Sequence, residues 1–408
     1  MSRSASPRHL HLDGLRGLAA LLVVIDHPLV GFDMALLTGA AGDSVNSWDI
    51  AVSGAPFFLA MSGNLSVDIF FLLSGYVLCQ AFYRSDLGLL AQLVKRYVRL
   101  ALPIAIACLI SYALFRAGLM RNQQLADITK SSWLAGQFTQ TPSLIAALRE
   151  GVYQALLYGV PGGISYDSSL WTMPIEFYGS LGLILVFWLS RFAPDGDAGR
   201  RRVLLVGLPV LAVLFYSSYL GLFALGAFLS LAGGLPRLGS RIAPVVFVVG
   251  LFLGTLPASP TRWAIFEPIV RLTPPLPVFM PFGHSVASFW HAAGALLILF
   301  AADSWTPFRR FLTSPPLQFL GHVSFPLYLI HIPIFMSLVS LAALQMFGAG
   351  WSYGLTEVLS ILLLVLLSLL AASGLYYVSE RPAIAWAARS GRWVHALQRR
   401  LRFSRTSA

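Results

Sequence analysis

Charge is what this chain has least of. Only 11% of its 408 residues are Asp, Glu, Lys or Arg, against about 25% in an ordinary soluble domain. Hydrophobic residues make up 57%, and mean hydropathy is +0.74. A water-soluble globule is thereby excluded. Cysteine is almost missing too. Cys79 and Cys108 both sit in apolar runs, which excludes a disulfide framework and a Cys-based metal site. No HExxH-type spacing joins the histidines, so no metal is assigned. No soluble module pairs a basic face with aromatics, so the net charge of +11 is not a nucleic-acid signal. No low-complexity linker, clear repeat or second domain interrupts the chain. Residues 1–408 read as one integral-membrane domain with a basic tail from about 380.

What is present is a series of apolar runs long enough to cross a bilayer. Ten are expected, near 12–32, 64–83, 99–118, 169–190, 203–218, 219–234, 242–257, 284–303, 316–341 and 355–378. The first follows a basic N-terminus, as a signal peptide would. Asp13, Arg16, Asp26 and His27 interrupt it and no small-residue cleavage site follows, so it reads as a retained span. The stretch 144–160 is too short and too charged to span and reads as an outer amphipathic or re-entrant segment.

Basic residues sort by side. With the N-terminus inside, 22 of the 28 Lys and Arg fall on inner segments, among them Arg3, Arg8, Arg16, Arg96, Arg99 and seven in the tail. Arg116, Arg121, Lys130, Arg149, Arg262 and Arg271 fall outside. This positive-inside bias predicts an even number of spans with both termini cytoplasmic. The fold class is an all-α polytopic membrane bundle of about ten helices. The tail has the composition of an amphipathic helix on an anionic inner leaflet.

Polar groups inside the spans collect in a few places. Arg16 and His27 are eleven residues apart in LDGLRGLAALLVVIDHPLV, close to three helical turns. They share a face about 16 Å apart along the axis. Ionisable pairs at membrane depth point to function; the bland alternative is a snorkelling Arg and a core His. Pro28 frees the Val24 carbonyl, so a kink or break beside His27 is expected. Asp68 opens the second span, where capping a helix start needs no further role. Arg96 and Arg99 share a face at the inner surface. They are either positive-inside anchors or a clamp for a phosphorylated ligand. Glu176 lies in the outer part of the fourth span and is expected to face His27 across the bundle. GHVSFPLYLIH places Ser324, Tyr328 and His331 in the ninth.

The ordered segments LDGLRGLAALLVVIDH, SVDIFFLLSGYVL, RYVRL, LWTMPIEFY, GHVSFPLYLIH and SERP, from residue 12 to 382, resemble the acyltransferase 3 family of polytopic membrane acyltransferases. Three positions depart from its pattern. Asp26 stands where an apolar or aromatic residue is usual, Pro174 interrupts the motif before Glu176, and Phe325 replaces a common Tyr.

The resemblance implies an enzyme that moves an acyl group, often acetyl, from cytosolic acyl-CoA to a hydroxyl of a carbohydrate or related acceptor. It maps Arg16 and His27 onto the family's essential pair and Arg96 and Arg99 onto its inner-surface Arg motif. The catalytic set is then His27, Arg16 and Glu176. Arg96, Arg99 and Arg16 would hold the donor, and Asp68, Tyr328 and His331 would contact the substrate. His27 would serve as general base or as a covalent acyl carrier; the sequence leaves both open. The expected partners are acyl-CoA as donor substrate, a hydroxyl acceptor from the cell envelope or a secreted metabolite, and the lipid bilayer. No tightly bound cofactor and no nucleic acid are expected. The expected site is the inner membrane. No esterase-like domain follows, so the chain is expected to act alone or with a separate envelope-biosynthesis partner. A proton-coupled carrier is the rival reading, since intramembrane Asp, Glu and His also suit one. A non-enzymatic scaffold is a third.

Overall fold

In a bilayer every backbone N–H and C=O must bond within its own segment, so the apolar runs have one outcome, the helix. The computed structural model describes residues 9–46, 48–257, 263–277 and 280–406, with side chains to 401. Arg3, Arg8 and Arg262, counted above in the charge balance, lie outside the described residues. The principal helices are α1 (Leu10–Phe32), α2 (Gly63–Tyr83), α3 (Leu89–Arg116) and α4 (Met173–Leu189). There follow α5 (Gly196–Leu214), α6 (Tyr219–Leu231), α7 (Ile242–Gly254), α8 (Val286–Ser304), α9 (Pro315–Ile334), α10 (Tyr353–Leu375) and α11 (Arg381–Thr406). No strand is formed among the described residues.

Seven of the helical stretches among the described residues are long and apolar enough to cross a membrane; α6 and α7 are apolar but shorter. The expected ten spans fall on α1 to α10 in order, although α5 is not among the seven, and three differ in extent. α5 begins at Gly196, seven residues ahead of the expected 203. α3 begins at Leu89, ten residues ahead of the expected 99. Arg96 therefore sits two turns inside the helix and not before it. α9 runs on through a π-turn at Phe335–Val339 to Gly348. α1 continues unbroken through Pro28 to Phe32, so no helix break forms there.

Segments expected on the same side bond to one another. On the expected outer side, Asn46 donates to Asp33 at 2.7 Å and Trp263 to the Ser53 carbonyl at 2.9 Å. On the expected inner side, Gln318 donates to the Leu10 carbonyl at 2.7 Å and Arg191 to the Leu87 carbonyl at 3.0 Å. The stretch Leu144–Leu157 is helical, with a π-turn at Glu150–Gln154. Glu150 is buried and accepts from Ser165 Oγ and the Tyr166 N–H, which ties this segment to the loop whose Tyr166 carbonyl accepts from Ser111 Oγ of α3.

Two crossings set the bundle. A Cβ on Gly17 would stand 2.3 Å from the Gly321 nitrogen, and one on Gly226 2.1 Å from the Leu72 carbonyl oxygen. Only glycine lets α1 lie on α9, and α2 on α6, backbone against backbone. The first crossing matters for chemistry. It brings the Arg16 and His27 stripe of α1 against Ser324, Tyr328 and His331 of α9, which fall on one face at i, i+4 and i+7.

Candidate active site

A cavity of about 540 Å³ opens between α1, α2, α3, α4, α9 and the start of α11. Its polar lining includes Arg16, Arg96, Arg99, Glu176, Ser324 and Glu380. Arg16 is held by α9: its Nε donates to Ser324 Oγ at 3.0 Å and its Nη2 to the Gly321 carbonyl at 2.9 Å. Asp13, one turn before it, lies 3.3 Å from the same nitrogen. The guanidinium is thus fixed in direction while its side chain stays 38% exposed.

Arg96 and Arg99 belong to the same cavity but have different partners. Arg96 forms an ion pair with Glu176 and donates from Nε to Ser180 Oγ at 2.8 Å. Glu176 also accepts from Ser74 Oγ at 2.9 Å. Arg99 pairs with Glu380 at 2.6 Å and lies over the Phe325 ring, 5.8 Å from its centroid. Its second terminal nitrogen, Nη1, is buried with no partner among the described residues. A buried guanidinium N–H left unmade is costly.

The expectation that Glu176 faces His27 is overturned by these bonds. Glu176 belongs to the arginine group because α3 starts early and carries Arg96 deeper. His27 is served by α9 instead. Its Nδ1 lies 2.8 Å from the Val23 carbonyl and 3.3 Å from His331 Nε2. Here the carbonyl used is Val23, one residue before the one Pro28 releases. His331 Nδ1 in turn lies 2.8 Å from the Tyr328 carbonyl. A carbonyl only accepts, so each neutral ring carries its proton on Nδ1. His331 Nε2 then offers a lone pair to His27 Nδ1–H, and His27 Nε2 is the free base nitrogen.

His331 is fully buried, and neither histidine lines the cavity. The expected substrate contact at His331 therefore becomes a support for His27. Tyr328 stands between the two regions. It lines the cavity, its ring meets Phe70 edge-on at 6.1 Å, and its hydroxyl donates to the Ser169 carbonyl at 2.7 Å beside Thr172 Oγ1 at 2.8 Å. On the far side Trp133, from the short helix Ser132–Ala135, packs 5.4 Å from the His27 ring.

Asp68 is placed differently from expectation. Its neighbours Val67, Phe70 and Phe71 line the cavity and Asp68 does not; it is buried with both carboxylate oxygens unbonded among the described residues. The α2 start is capped by Asp26 of α1, whose Oδ1 accepts from the Gly63 N–H at 3.1 Å. That gives the unusual Asp26 a structural use. Outside the spans, burial pushes the Glu150 carboxyl up to about 7 and the Asp167 carboxyl up to about 8. Asp167 accepts from Ser169, so this outer network reaches the residue that holds Tyr328.

Sequence reasoning missed Ser74, Ser180, His322, Tyr376 and Glu380, which complete the cavity or its bonds. Three of them had a signal: Ser74 lies in SVDIFFLLSGYVL, His322 in GHVSFPLYLIH, and Glu380 is the acid of the SERP segment.

Comparison with known proteins decides the family. An acyltransferase domain matches residues 9–377. The chain belongs to the acyltransferase 3 family. A relative, "Acyltransferase clz18" of Cochliobolus lunatus, is 24% identical over an alignment covering 82% of this chain and 84% of its own. No solved structure matches. Membership makes this protein an acyltransferase and sets aside the carrier and scaffold readings. Arg16, His27, Arg96, Arg99 and Tyr328, singled out in the sequence, all lie along the α1, α3 and α9 surfaces just described.

Proposed function

We infer that the protein is an inner-membrane O-acyltransferase that takes an acyl group, acetyl in the simplest case, from cytosolic acyl-CoA. The acceptor is a hydroxyl of an envelope carbohydrate or a secreted metabolite. One observation carries the reading: a cavity bearing Arg16, Arg96 and Arg99 is also lined by Tyr328, whose ring lies 5.9 Å from that of His331, the neighbour of His27. Cations suit the donor's phosphates, and an imidazole with a free Nε2 suits an acceptor hydroxyl.

The roles follow from the geometry. The buried Nη1 of Arg99 is the ready phosphate donor; Arg96, already paired with Glu176, fixes the cavity wall. Arg16, about 16 Å from His27 along α1 and held by Ser324 and Gly321, orients the donor along the cavity. His27 Nε2 removes the acceptor proton as the hydroxyl oxygen attacks the thioester carbonyl. The C–S bond then breaks, and the proton passes to the departing thiolate. The test is mass spectrometry of envelope glycans and secreted products with and without the gene. One acyl mass lost from a single product class supports the reading; unchanged products in both fractions refute it.

A further inference from the structure

The helix α11 has three faces. At about 100° per residue, Ala387, Gly391 and His395 fall on one side. That side packs on α3: Gly391 sits against the Ala91 carbonyl and Lys95, and His395 Nδ1 lies 3.4 Å from the Gly88 N–H. Trp386, Trp393 and Leu397 form a second stripe and are 60%, 65% and 42% exposed. Arg389, Arg392, Arg399 and Arg400 lie mainly on the third side, all exposed, with no ion partner among the described residues. Exposed tryptophans beside unpaired arginines fit one occupant, the interface of an anionic leaflet: rings at headgroup level and guanidiniums on phosphates.

The same helix begins in the site. The π-turn Tyr376–Glu380 joins it to α10. Tyr376, Glu380 and Ile384 line the cavity, and Glu380 is the counter-ion of Arg99. π-turns concentrate at functional positions. We propose that α11 is an anionic-lipid-binding element whose seating on the inner leaflet holds one wall of the donor cavity, and so tightens donor binding. The proposal rests on the acyl-CoA reading above for its second half only.

The test uses the full-length protein in nanodiscs of phosphatidylcholine alone or with phosphatidylglycerol. Coenzyme A binding is the first readout. Quenching by brominated lipid, compared between the wild type and Trp386→Phe/Trp393→Phe, is the second. Coenzyme A should bind severalfold tighter with phosphatidylglycerol, and the two tryptophans should account for much of the quenching. Arg389→Gln/Arg392→Gln/Arg399→Gln/Arg400→Gln, all at exposed positions, should lose the lipid dependence and keep its unfolding midpoint. Each arginine near an anionic surface is worth about fivefold in membrane affinity, so the combined loss is measurable. Equal coenzyme A affinity in both lipids overturns the coupling. Absent quenching at 386 and 393, or a second copy of the chain covering the stripe in nanodiscs, overturns the membrane seat. Quenching with no coenzyme A binding in either lipid leaves the seat standing and overturns the donor reading instead.

Discussion

Removing the Glu176 carboxylate should expose what it is for. Its partner Arg96 has a side chain only 12% exposed. Glu176→Ala leaves that guanidinium buried beside Ser180 and without a counter-charge. Breaking a buried pair from one side costs about 3–5 kcal/mol, a large part of a typical stability of about 5–15 kcal/mol. Arg96→Ala strands the carboxylate and should cost a similar amount. Removing both charges, as in Arg96→Met/Glu176→Leu, should recover most of the loss because no unpaired charge remains. The coupling between the two sites should therefore be near the upper end of the about 0.5–3 kcal/mol range for contacting residues. Glu176 and His27, which share no bond, should add within about 0.5 kcal/mol. The assay is denaturant unfolding of the purified protein for each single and double variant, with the pH–rate profile of Glu176→Gln alongside. That profile should keep the arm set by the histidine base. Strong coupling of Glu176 to His27, with Arg96 and Glu176 additive, would refute the assignment.

Four further outcomes are expected. His331→Phe keeps the bulk of the ring but removes the second acceptor near His27 Nδ1–H, leaving the Val23 carbonyl; kcat should fall about 10-fold, the worth of an ordinary hydrogen bond, with the donor KM unchanged in steady-state assays. Arg99→Ala should raise the acyl-CoA KM and spare the acceptor KM, and Arg99→Lys should rescue only in part because an ammonium has one donor nitrogen and cannot bond Glu380 and a phosphate from two arms of a planar fork. Cysteines at Gly42 and Ala198, both exposed, should label from opposite sides with an impermeant thiol reagent; Ala198 is chosen because a Cβ at Gly199 would meet the Pro194 carbonyl at 1.6 Å. Glu150 has a folded-state value raised from 4.5 to about 7, so the stability it lends is whole below pH 4.5 and lost as pH rises through about 7. Glu150→Gln should flatten that decline in unfolding midpoints measured across this window.

The helices were legible because a bilayer leaves an apolar run no alternative to helix. The shared face of Arg16 and His27 was legible because it depends only on spacing along one helix. The partners of Glu176 and His27 were not. They depend on which face each helix turns to its neighbours and on depth, and ten extra residues at the start of α3 were enough to carry Arg96 to Glu176. The imidazole pair was hidden for the same reason. His27 and His331 are 304 residues apart, and the backbone crossing at Gly17 and Gly321 is what joins them. Asp26 looked like a departure in a catalytic motif, and its use as a cap for α2 appears only once α1 lies beside Gly63.

Turnover of purified His27→Ala tests the central claim most directly. Wild type and variant are reconstituted in liposomes with labelled acetyl-CoA and an envelope extract as acceptor source, and transferred label is followed over time. A folded, membrane-inserted His27→Ala protein should lose about 10²- to 10⁴-fold in rate, the worth of a positioned general base. Near-wild-type transfer by that variant would contradict the account.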